Sequence, residues 1–150
     1  MKLAEALQQR ADLARRIEQL RSRLHANATM QEDVPPAEDP QELLAELDRC
    51  LNEEEFLVTH INLTNAHAKV EGETLTALLA RRDSLKKRIE IYQNLCSEGS
   101  SLGNRYSKSE IRILPAVNVR ELRKQCDSCS EIFRKLDTAI QAANWRIELR

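Results

Sequence analysis

"LAEALQQRADLARRIEQL", residues 3–20, returns 72 residues later as "LTALLARRDSLKKRIEIY", residues 75–92. In the first copy Leu3, Ala6, Leu13, Ile17, Leu20 and Leu24 follow alternating steps of three and four once Arg10 is counted as a seam position. That is the stripe by which one helix packs along another. The second copy repeats it as Leu75, Leu78, Arg82, Leu85, Ile89, Tyr92 and Cys96, with the arginine in the same place. A shared polar interruption argues for duplication more strongly than shared leucines do.

The segments that follow each copy also align, at a separation of 79: Glu42 with Glu121, Leu43 with Leu122, Asp48 with Asp127, Cys50 with Cys129, Leu57 with Leu136, Ile61 with Ile140 and Asn65 with Asn144. Asp39 and Asn118 are placed to cap them, with an acid three residues on and Pro40 at the favoured first helical position. The repeating unit is therefore a helical hairpin, about residues 2–67 and again about 74–148, in a single helical domain spanning 1–150. One hairpin cannot cover its own apolar seam. Two copies predict an all-α protein, an antiparallel four-helix bundle or paired coiled-coil hairpins with helices about 37 Å long. The first connection, "ATMQEDVPPAEDP", is acidic and proline-bearing, and reads as an extended loop. The second is seven residues longer, and its "SEIRILPAV" predicts a short extended arm.

Composition agrees. Three glycines and 31% charged residues suit long exposed helices. A net charge of −1 gives no surplus of cations for nucleic acid or an acidic membrane surface. Locally, "DPQELLAELDRCLNEEE" is acidic while "RRIEQLRSR" and "RRDSLKKRIE" are basic, so helices of opposite sign should lie side by side or meet in an assembly. No apolar run reaches the length of a membrane span and "MKLAEALQQR" lacks the core of a signal peptide. The expected location is cytoplasmic. Cys50, Cys96, Cys126 and Cys129 are then expected as thiols.

Candidate site residues come first from the seam. A guanidinium there needs a partner, and the acceptors on offer for Arg10 and Arg82 are the amides of Asn62, Asn65, Gln141 and Asn144 or the carboxylates of Asp12 and Asp83. Such a set is either a polar layer that fixes register or a symmetric anion pocket. Arg105, Tyr106 and Lys108 in the second connection could add to a pocket. "CDSC", residues 126–129, falls on the seam stripe and reads as core thiols, not as a zinc or redox site. His60 and His67 read as surface or interface residues, Trp145 as a packing anchor, and no metal, cofactor or catalytic constellation is expected.

"KLAEALQQRADLARRIEQLRSRL", "EDPQELLAELD", "INLTNA", "TLTALLARRDSLKKRI", "RYSKSEIR" and "IQAANW" together resemble an uncharacterised family of small bacterial helical proteins, some of whose members carry the automatic label septicolysin. The resemblance spans essentially the whole chain. It implies a helical domain without assigned catalytic residues. The label would imply a pore-forming haemolysin, yet the chain has no long amphipathic sheet-forming hairpins and no Trp-rich undecapeptide. Two functions are expected ahead of a membrane-active toxin: a non-enzymatic, self-assembling helical scaffold that pairs with further copies or an unknown protein, and a small-anion or metabolite binder built on the Arg and Asn positions.

Overall fold

A computed structural model of the chain describes residues 1–100 and 111–150. The architecture is all-α: α1 (Leu3–Ala26), α2 (Pro40–His67), α3 (Leu75–Ser100) and α4 (Val119–Arg146), with a ribbon of two-residue strands, β1 (Lys69–Val70) and β2 (Glu73–Thr74), between α2 and α3. The chain divides into two compact units, residues 1–69 with 143–150, and residues 70–142.

The first unit is the α1–α2 hairpin. Its helices are antiparallel, because Arg16 meets Glu46 while Arg23, further along α1, meets the earlier Glu38. Leu20, Leu43 and Cys50 are buried together, with Leu13, Ile17, Leu24 and Leu47 packed around them. Toward the open end Leu3, Ala6, Leu57, Ile61 and Thr64 are buried as well. The steps of three and four predicted from sequence are thus the buried seam, with Arg10 as its exposed break.

Both ends of this unit are tied by specific bonds. Asp39 accepts from the Gln41 N–H at 2.9 Å and caps α2, as expected of an Asp ahead of a first-turn proline. Asn27 ends α1: its Nδ2 donates to the Arg23 carbonyl at 2.8 Å and its Oδ1 accepts from the Glu38 N–H at 3.0 Å. At the other end the chain termini pair as a short antiparallel bridge. Leu3 N–H donates to the Ile147 carbonyl at 2.9 Å and Leu149 N–H to the Met1 carbonyl at 2.8 Å. Arg150 N–H then donates to the buried Thr64 hydroxyl at 2.9 Å.

The second unit holds α3 and most of α4, again antiparallel. Arg82 meets Asp137, whereas the Cys126 thiol reaches the Ile89 carbonyl at 3.9 Å and the Cys96 thiol the Val119 carbonyl at 4.0 Å. Leu75, Leu78, Cys96, Cys126 and Ile140 are buried. Thr74 Oγ1 caps α3 through the Ala77 N–H at 3.2 Å, and Asn118 Oδ1 caps α4 through the Glu121 N–H at 3.1 Å.

The ribbon was not anticipated. Glu71 and Gly72 both take positive φ, 53° and 87°, the backbone of the tight hairpin turn whose twist matches paired strands. Glutamate at the first of these positions, where Asn or Asp is usual, leaves little local signal. The predicted arm falls partly outside the described residues. Residues 111–115 are in neither helix nor strand, with Ile111, Ile113 and Leu114 exposed.

Candidate functional site

The two seam arginines have different surroundings. Arg10 is exposed on α1. Arg82 is half-buried, and its guanidinium lies 3.1 Å from Asp137 on α4 and 3.8 Å from Asp83. Of the acceptors proposed from sequence only Asp83 belongs to this cluster; Asp12 pairs with its own neighbour Arg15. Asp137 was missed because its counterpart in the first hairpin, 79 residues earlier, is Val58. The signal available was an acid adjoining the seam residue Leu136, where a flank position faces the partner helix's long side chains.

The asparagines diverge in the same way: Asn62 is exposed, Asn65 half-buried and Asn144 buried. Arg105, Tyr106 and Lys108 lie outside the described residues. Cys50, Cys96 and Cys126 are buried free thiols and Cys129 is half-buried. No group of three or more His, Cys, Asp or Glu suited to a metal ion occurs among the described residues. His60 packs against Phe56 with ring centroids 4.1 Å apart and hydrogen-bonds the Arg150 carbonyl through Nδ1. His67 Nδ1 approaches the Leu63 carbonyl of its own helix at 2.8 Å. Trp145 is mostly exposed.

The opposite signs read from the sequence meet inside the first hairpin. Arg16 Nε donates to Glu46 at 2.7 Å, and Arg23 holds Glu38 through both Nε and Nη2. The Arg23 hydrogen bond keeps the Glu38 carboxyl below the usual carboxylate range. Asn27, Arg23 and Glu38 together lock the acidic connection onto the end of α1. That connection carries a surface pocket of about 520 Å³, walled by Ala28, Met30, Pro35, Pro36 and Pro40, with Asp39 the charged residue in its lining. Sequence reading did not select it, since the lining residues are brought together by a turn at Gln31–Val34 in which Asp33 takes φ 62°.

A second surface lies along α2. Leu44 and Leu51, each 42% exposed, are followed at the same seven-residue spacing by half-buried Val58. Seven residues is two helical turns, so the three share one side of α2, next to the seam. Leu7 on α1 is half-buried. On α3, Ile91 and Leu95 are likewise exposed one turn apart, following Lys86, Lys87 and Arg88.

A model described as a family of unknown function (DUF6847) matches residues 10–149. The chain belongs to that family. It is also similar to the protein in a structure described as "Crystal structure of a functionally unknown conserved protein from Corynebacterium diphtheriae", at 40% identity and a TM-score of 0.94, over 100% of this chain and 99% of that one. No curated protein matches it. Family membership brings no activity with it. Among the described residues no helix is long and apolar enough to cross a membrane.

Proposed function

We propose that the chain is a non-enzymatic cytoplasmic scaffold that assembles from copies of itself, the acidic α2 face of one copy packing on the basic α3 face of the next. The observation that carries this reading is the exposed apolar stripe of α2, Leu44 and Leu51 in line with Val58. Aligned exposed leucines on a regular helix mark an interaction surface, where scattered single ones would not. The partner is chosen by charge. Along α2, besides Glu46 held by Arg16, there are five acids, Glu42, Asp48, Glu53, Glu54 and Glu55, against one base, Arg49. On α3 Arg81 and Arg82 are held by Glu73 and Asp137, and the exposed Lys86, Lys87 and Arg88 that follow lead directly into Ile91 and Leu95. Complementary charge of this kind sets partner choice and makes association sensitive to salt. The likeness of residues 3–20 to residues 75–92 supports the reading too, since it suits two similar hairpins whose surface charges differ.

An anion-binding role at the seam arginines is the weaker reading. The half-buried Arg82 already has the Asp137 carboxylate where an anion would sit.

Two unlike faces make a decisive mixing test. Leu44→Lys with Leu51→Lys disables the α2 face, and Ile91→Glu with Leu95→Glu disables the α3 face. All four residues are exposed, so each substitution should change folding stability by no more than about 0.5 kcal/mol. Each double variant alone is expected as a 17.2 kDa monomer by light scattering. A mixture of the two should form a heterodimer and stop there, since one intact face of each kind remains. Variants that keep the wild-type mass would contradict the proposal.

A further inference from the structure

We propose that the pocket in the α1–α2 connection is the receptor for the arm of a second copy, with Ile113 and Leu114 entering the proline-lined hollow and Arg112 lying against its acidic surroundings. This rests on the self-assembly reading above and adds a second contact to it.

The pocket is built to receive an apolar group. Its volume of about 520 Å³ is in the range of pockets that bind small ligands, about 300–1,000 Å³. Pro35, Pro36 and Pro40 cannot donate hydrogen bonds and hold their backbone nearly fixed, so the wall does not have to be ordered on binding. The Gln31–Val34 turn and the Asn27 bonds to Arg23 and Glu38 fix the rest of the connection. Met30 remains 67% exposed at the wall, an adaptable thioether side chain of the sort that moulds to an incoming apolar group.

Charge selects the occupant. Residues 28–42 contain Glu32, Asp33, Glu38, Asp39 and Glu42 and no base, and only Glu38 of these is engaged by Arg23. The second connection supplies the complement: residues 111–120, "IRILPAVNVR", contain Arg112 and Arg120 and no acid. Ile111, Ile113 and Leu114 are 77%, 65% and 70% exposed, a concentration of solvated apolar surface that needs a cover. This segment, in neither helix nor strand, sets one arginine beside three exposed apolar side chains, so Ile113 and Leu114 can enter a hollow while Arg112 meets its acidic rim.

The two contacts are compatible. The pocket adjoins the start of α2, and the arm lies between the end of α3 and the start of α4. An antiparallel docking of α2 on a neighbour's α3, with Leu44 near Leu95, therefore brings the neighbour's arm toward the pocket.

The test uses a labelled peptide of residues 111–118, IRILPAVN, titrated into the full chain carrying Ile113→Asp and Leu114→Asp so that its own arms do not compete. Fluorescence anisotropy is expected to rise and saturate. Adding Met30→Lys to the receptor, or Leu114→Asp to the peptide, should weaken binding by about tenfold or more. The Leu44→Lys, Leu51→Lys pair should leave peptide affinity unchanged, because it touches only the α2 face. No saturable binding up to about 1 mM peptide, or equal affinity for the Met30→Lys receptor, would overturn the arm–pocket contact. The mass measurements on the α2 and α3 variants decide the assembly reading separately, so either can fail alone.

Discussion

Replacing Leu20 with alanine is expected to destabilise the first hairpin by about 2–5 kcal/mol. Leu20 is wholly buried, in contact with Leu43 and Cys50, with Leu13, Ile17, Leu24 and Leu47 closing around it. A two-helix hairpin has few layers, so the neighbours cannot collapse into the space without breaking the seam on either side. Removing the side chain therefore loses both its transfer free energy and the contacts that lined it. Urea unfolding followed by circular dichroism checks this as a drop in midpoint with an unchanged slope. The equivalent position in the second hairpin is Tyr92, which is only half-buried, and Tyr92→Ala should cost less. Equal, small losses at the two positions would show that Leu20 is not a core residue.

The second large effect is expected at Asn27. Asn27→Leu removes the bond to the Arg23 carbonyl and leaves the Glu38 N–H without its acceptor, at a site that is 92% shielded from water. Leaving a buried donor unsatisfied costs about 1–3 kcal/mol. Because the same residue ends α1 and holds the connection, the loss should be local as well as global. Limited proteolysis between residues 28 and 39 should become faster than in the wild type. Unchanged stability and unchanged cleavage would mean that Arg23 with Glu38 suffices to hold the connection. Asn27→Asp keeps the acceptor for the Glu38 N–H and should fall between the two.

Much of the helical framework was legible because it is written in a period. The steps of three and four from Leu3 to Leu24 and from Leu75 to Cys96 located both long helices, and Asp39 and Asn118 were recognisable caps. What escaped was set by partners distant in sequence. The bridge of Lys2 with Glu148 spans nearly the whole chain and leaves no local pattern. Arg10 and Arg82 looked equivalent along their own helices, yet Arg82 meets Asp137, and the residue 79 positions before Asp137 is Val58. Asn27 sits on the stripe seven residues after Leu20, where a polar residue could have been flagged as a helix end with a buried role. The pocket depended on a positive φ at Asp33, a conformation that an isolated aspartate permits without requiring.

The apolar stripe on α2, Leu44, Leu51 and Val58 at seven-residue spacing, takes its meaning from the exposure of its first two members. The proposal that rests on it is that the protein assembles from copies of itself. The most direct measurement is the molar mass of the unmodified chain by sedimentation velocity over a range of micromolar concentrations, at low salt and again at high salt. A self-assembling chain is expected to give a multiple of 17.2 kDa that falls toward the single-chain mass as salt rises. A mass of 17.2 kDa at every concentration and salt would contradict it.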